Sequence, residues 1–244
     1  MATWNIGDVS ITKVLEMEKH WPFSALLPGA EEVIDDLDWL RPDFVTDEGR
    51  MKLSIHALVI ESDGQTIIVD TCCGNNKDRP GAPAFDNLET DFLGELSRCG
   101  FSPTDVDVVL STHLHVDHVG WNTQLIDGTW VPTFPNAEYL FVRPEFEHWA
   151  AEPQDYGPVF EDSVQPIIDA GLATVVEADH RAPRGEQRVR LLRRRGRCRR
   201  TASARATRAP PSPRATRRCR ASAGGTSAPV RIPAPPTRSG ARRW

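Results

Sequence analysis

The sequence predicts an α/β fold over about its first 180 residues, followed by a segment that lacks any core-forming pattern. Three observations carry this. Two apolar, β-branched runs, KLSIHALVIE (52–61) and TIIVDT (66–71), flank the turn Ser62-Asp63-Gly64 and read as a hairpin of buried strands. Leu88, Phe92, Leu93 and Leu96 then fall at helical spacing before Gly100, and VDVVLS (106–111) follows as another short buried strand. Strand, helix and strand form a β-α-β unit, which implies parallel strands. The third observation is an abrupt change of composition after His180.

The remaining elements are taken in chain order. Residues 9–16 alternate apolar and polar side chains and open as a strand. Residues 20–48, rich in Pro, Trp and acids without a sustained period, read as loop with short helical pieces. Glu138–Val142 is a further strand, residues 144–150 and 160–170 are helices, and Gly171 ends the second of them. Residues 173–177 form the last strand. The chain length of 244 residues suits one α/β domain or two small ones, and no internal repeat is visible.

The overall net charge of −5 hides a split. Residues 1–180 carry 9 Lys+Arg against 33 Asp+Glu, a net of −24, whereas residues 181–244 carry 20 Arg against Glu186 alone, a net of +19. Val189, Leu191, Leu192, Val230, Ile232 and Trp244 are the only large apolar residues in those last 64, too few to offset chain entropy. A disordered tail is therefore expected. Arg, Ala and Pro supply 39 of the 64 positions, and Lys, Asn, Asp, His, Phe, Tyr and Met are absent. GC-rich coding DNA read out of frame gives this bias, so a frameshift near residues 181–190 is the expectation, with a genuine basic tail as the alternative. Met1–Ser10 has neither a basic nor an apolar signal region, and no run approaches a membrane span of ~18 apolar residues. Five cysteines without a CxxC pair read as reduced thiols, so the expected location is the cytoplasm.

Chemistry concentrates in Thr112-His113-Leu114-His115-Val116-Asp117-His118-Val119-Gly120, directly after a buried strand. In extended backbone His113 and His115 point to one side, and a turn then brings Asp117 and His118 beside them. Imidazole nitrogens and a carboxylate are the donors that Zn²⁺ and similar ions accept. The C-terminal end of a strand is where an α/β site belongs. Other histidines receive plainer readings: His56 as a satisfied strand residue, His148 as packing in an aromatic helix, and His180 as an ordinary surface group. His20, Trp21 and Phe23 suit either a loop over the site or a surface aromatic cluster. Cys72-Cys73 read as small buried hydrophobes, not nucleophiles.

This motif resembles the signature of the metallo-β-lactamase superfamily, hydrolases with an αβ/βα sandwich and usually two metals. The resemblance covers roughly residues 1–180 and implies that the first half of that fold is intact, with residues 1–182 as the domain and 183–244 as the tail. It implies His113 and His115 as ligands of one Zn²⁺, and Asp117 and His118 as ligands of a second. Asp117 would also move a proton. Val69-Asp70-Thr71 resembles the family's aspartate-bearing strand end, which makes Asp70 the group that orients the metal loop; a turn-capping Asp is the alternative. The wording His118-Val119-Gly120-Trp121-Asn122-Thr123 is similar to lactonase and ester-hydrolase members. The expected substrate is thus a small ester or lactone, attacked by a metal-bound hydroxide, with β-lactams second.

The departures count equally. The family draws three further ligands, two histidines and a shared aspartate, from downstream segments, and residues 181–244 contain neither type. Impaired activity and doubtful metal occupancy follow, with an inactive truncated remnant as the alternative. An exposed sheet face would favour self-association. Nucleic-acid binding through the tail is a third reading, against which stand the acidic folded part and a tail without aromatics except Trp244.

Overall fold

The computed structural model describes residues 2–181, and the expectations for the basic tail, its disorder and its reading frame lie outside them. Nine strands and four α-helices follow in the order β1 (Ala2–Ile6), β2 (Val9–Trp21), β3 (Met51–Ser62), β4 (Gln65–Val69), α1 (Phe92–Arg98), β5 (Val108–Leu110), β6 (Thr123–Ile126), β7 (Thr129–Pro132), β8 (Glu138–Val142), α2 (Arg143–Ala151), α3 (Val159–Ser163), α4 (Gln165–Asp169) and β9 (Ala173–Val176). Seven strands form one sheet in the order β1-β2-β3-β4-β5-β8-β9, while β6 and β7 make a separate hairpin. The first four pair antiparallel, and β4, β5, β8 and β9 pair parallel. The β4–α1–β5 unit is therefore parallel, as its sequence pattern requires.

Several elements differ from the sequence reading. The opening strand extends to Trp21, past the loss of alternation, because β3 offers it a partner along its whole length. β1 was not anticipated; Gly7, at φ 62, makes the turn that returns it onto β2. The β6–β7 hairpin was also missed, although Asp127-Gly128, both at positive φ, is a hairpin signal. The single helix expected over 160–170 is two short ones, since Pro166 cannot continue the hydrogen-bond ladder of the first. Leu88 precedes α1, and its side chain packs on the core from the preceding loop.

The two faces of the sheet differ. Val14, Ala57, Val59, Ile68, Val109, Tyr139 and Phe141 lie on one face, in the main core, with Phe92 and Leu96 of α1, Phe146 of α2, Val159 of α3 and Ile167 of α4. On the other face Val108, Leu140 and Val176 cluster with Ile67 and Leu110, all of them strand residues. Ile11, Leu58, Ile60, Ile67, Val69 and Leu110 are only half-buried there, and Trp4 and Ile6 of β1 are 50% and 66% exposed. Among the described residues no helix is long and apolar enough to cross a membrane.

Candidate metal-binding site

The site lies where β4, β5 and β8 end. Asp70 follows β4, the His cluster follows β5, and α2 follows β8, so the C-terminal ends of three parallel strands face one place. The cluster itself is not extended. β5 stops at Leu110, and residues 112–120 run through bends and a turn, with the His118 amide donating to the His115 carbonyl at 3.1 Å. The strand-like alternation expected of His113 and His115 is thus replaced by a turn that gathers the rings. The His113 centroid lies 4.7 Å from that of His115 and 3.9 Å from that of His118.

Asp70 holds this turn. It sits at φ 57, left-handed backbone that Asp tolerates better than most residues. Its carboxylate accepts from the Thr112 amide at 2.8 Å, from the Thr112 hydroxyl at 2.8 Å, and from His118 Nδ1 at 2.9 Å. Asp117 Oδ2 stands 3.5 Å from His118 Nε2, so one imidazole is flanked by two carboxylates. Burial works to lower the His118 pKa, but the hydrogen bonds to Asp117 and Asp70 outweigh it and push the value up to about 9. Burial would raise the Asp117 pKa, yet the hydrogen bond and charge of His118 hold it below its ordinary value. His113 moves down, first through burial and then through the neighbouring His118 and His115.

A second set of contacts secures the backbone between the histidines. Glu145 of α2 accepts from the Leu114 amide at 3.2 Å and from the Trp149 indole at 3.0 Å. Gln154 donates to the Leu114 carbonyl at 2.5 Å. Trp149 and Tyr156 flank His115, with centroids 5.2 and 6.1 Å away. Glu145, Gln154 and Tyr156 were missed by sequence reasoning, because nothing local in an acidic helix or the loop after it signals a long-range partner.

The remaining candidates lie elsewhere. His56 Nδ1 donates to the Ser54 carbonyl, 2.9 Å away, on the half-buried sheet face. His148 and His180 are exposed, and His148 packs on Trp149 at 4.5 Å. His20 is exposed, while Trp21 and Phe23 join a minor core with Ile34, Val45 and Met51. Cys72 and Cys73 are buried among apolar core residues, and burial followed by the Glu16 charge pushes both thiols up.

Residues 50–196 match the metallo-beta-lactamase superfamily. The chain belongs to that superfamily. Its sheet with helices on one face corresponds to one layer pair of the superfamily's αβ/βα sandwich. Three solved structures share the fold. A probable metal-dependent hydrolase from Staphylococcus aureus is 19% identical with a TM-score of 0.55, covering 75% of this chain and 64% of that one. The hydrolase AbOPH of the beta lactamase superfamily is 22% identical with a TM-score of 0.55, covering 74% and 62%. AidC, a dizinc quorum-quenching lactonase in complex with a product, is 18% identical with a TM-score of 0.52, covering 74% and 62%. The chain therefore spans less than two thirds of the length of each. Curated proteins give no match.

The donor set has the chemistry of a zinc-type site: three imidazoles and a carboxylate, with one imidazole oriented by a carboxylate on its far nitrogen. It fits such an ion in kind. In number it falls short: among the described residues no three His, Cys, Asp or Glu side chains stand where they could hold one ion together. His118 directs both nitrogens at carboxylates, and His113 Nδ1 faces the Thr112 hydroxyl at 3.1 Å.

Proposed function

We propose that this chain carries the metal-binding part of a zinc-dependent hydrolase acting on a small ester or lactone. The observation that supports it best is the gathering of His113, His115, Asp117 and His118 at the ends of parallel strands, with Asp70 on His118 Nδ1. His113 and His115 would contribute to one metal and Asp117 and His118 to a second, each pair short of a full ligand set. When bound, a divalent ion supplies Lewis acidity toward a carbonyl and a nucleophile at neutral pH. The chain's own groups do the rest. Asp70 and Thr112 fix the turn, and Asp70, by engaging His118 Nδ1, leaves Nε2 as the nitrogen for a metal. Asp117, held as a carboxylate by His118, would accept a proton from an attacking water. Trp149 and Tyr156 form an apolar wall beside His115, suited to the non-reacting part of a substrate.

A specific observation favours a second reading, a metal-poor chain without turnover: the donors supplied by the described residues fall short of the three protein ligands usual at a catalytic zinc. One experiment separates the two. Purified protein is dialysed with Zn²⁺, and bound metal is measured with hydrolysis of an aryl ester and a homoserine lactone, beside the His113→Ala/His115→Ala variant. The hydrolase reading expects bound zinc and slow turnover, both lost in the variant. Bound zinc without turnover supports the second reading, and zinc retained in the variant would overturn the assignment of the site.

A further inference from the structure

Glu16 stands at an irregularity in the sheet. β2 pairs regularly with β3 except between Leu15 and Met17, where Glu16 is the extra residue of a β-bulge. A bulge re-aims a side chain out of the strand's alternation. Here it turns a carboxylate toward three separate segments. Glu16 Oε2 accepts from the Cys73 amide at 2.8 Å, and Oε1 accepts from the Gly74 amide at 3.2 Å, the Thr90 hydroxyl at 3.0 Å and the Trp121 indole at 2.7 Å. Four donors converge on this one carboxylate, three of them on Oε1.

Those donors sit against the metal-binding turn. The Gly120 amide donates to the Cys72 carbonyl at 2.7 Å, the Trp121 amide to the Thr71 carbonyl at 2.8 Å, and the Thr71 amide to the His118 carbonyl at 2.7 Å. Backbones approach so closely that a Cβ on Gly120 would overlap the Cys73 carbonyl, and one on Gly74 would lie 2.6 Å from the Gly120 carbonyl carbon. Residues 72–74 cannot shift without moving Gly120, two positions from His118. We propose that Glu16 is a positioning residue for the metal-binding turn: it clamps residues 73–74 to Trp121 and thereby fixes where Asp117 and His118 stand. The consequence for metal binding rests on the hydrolase reading; the clamp itself does not.

The test uses amide hydrogen exchange of the metal-free protein and cobalt(II) titration, on wild type, Glu16→Ala and Glu16→Gln. Glu16→Ala is expected to lower protection of Gly74, Gly120 and the Trp121 indole at least tenfold, with Val59 and Ile68 in the sheet unchanged, and to weaken cobalt binding about tenfold. Glu16→Gln keeps an acceptor at the Oε1 position for three of the four donors, so it should restore most of both. Unchanged protection around residue 120, or an equal loss in β3 and β4, overturns the proposal. Should Glu16→Ala fail to fold, Trp121→Phe and Thr90→Val each remove one donor; a local loss of protection in both supports the clamp, and wild-type protection in both overturns it. Wild type that binds no cobalt would refute the metal reading while exchange still decides the role of Glu16.

Discussion

Replacing Asp70 tests the link between the fold and the turn that carries the four candidate ligands. Its side chain is 15% exposed and serves three donors, the Thr112 amide, the Thr112 hydroxyl and His118 Nδ1. Loss of a carboxylate that orients a ligating histidine costs about 10–100-fold in metal affinity, or ~1.4–2.7 kcal/mol. Asp70→Ala adds a backbone cost of ~1 kcal/mol, because Ala tolerates the residue's φ of 57 poorly. Asp70→Asn separates the two effects. Asn accepts left-handed backbone and keeps an oxygen for the Thr112 amide, but places an NH₂ where Oδ2 received His118 Nδ1. Zinc affinity from competition with a chromophoric chelator should fall at least tenfold in both variants, whereas the urea midpoint should fall further in Asp70→Ala. Asp70→Asn with wild-type zinc affinity would refute the assignment of Asp70 as the orienting group.

Asp162 binds buried Arg79 through both oxygens, at 2.7 and 2.8 Å, with buried Lys77 3.4 Å away, so Asp162→Asn should cost ~3–5 kcal/mol in urea denaturation; a loss below ~1 kcal/mol would contradict a buried ion cluster. Gly120→Ala should cost at least ~3 kcal/mol or abolish folding, because its methyl meets backbone that has no room to yield, and a wild-type melting temperature would refute the close approach. Burial, partly offset by Asp162, lowers the Lys77 pKa from its ordinary 10.5 to about 7. Between those values the unfolded chain binds more protons than the folded one, so this lysine makes stability rise with pH across that window and contributes no slope below it. Lys77→Met should flatten the rise between pH 7 and pH 10, and an unchanged slope would place its cause elsewhere.

What was legible in the sequence was what neighbours in the chain decide. The β3–β4 hairpin, the parallel β4–α1–β5 unit and β8 follow from apolar runs, helical spacing and turn residues that each segment carries within itself. The His cluster was visible for the same reason, since four donor types fall within six residues. Its conformation was not. A turn in place of an extended strand depends on Asp70, 42 residues before Thr112, and on Glu145, 31 residues after Leu114. Glu16 shows the limit most clearly. In the sequence it is one acid among 33 in the first 180 residues, and only the bulge and the four donors brought to it, the farthest 105 positions away, distinguish it.

The same contrast separates the two faces of the sheet. Strands that meet water on one side alternate, as β3 does over Met51–Ala57, but residues 57–60 of β3 and 67–69 of β4 are continuously apolar, the pattern of a sheet covered on both sides. The described helices cover one side only. On the other, Leu58, Ile60, Ile67, Val69 and Leu110 remain half-buried beside the exposed Trp4 and Ile6. The expectation of self-association concerns this face of the sheet. The turn that carries His113 to His118 does not lean on that side: its hydrogen bonds run to Asp70, Thr71, Cys72, Glu145 and Gln154. The metal-binding turn and the second face are therefore separable, and a substitution such as Ile60→Thr should change how the sheet meets its surroundings while leaving the geometry of the four candidate ligands intact.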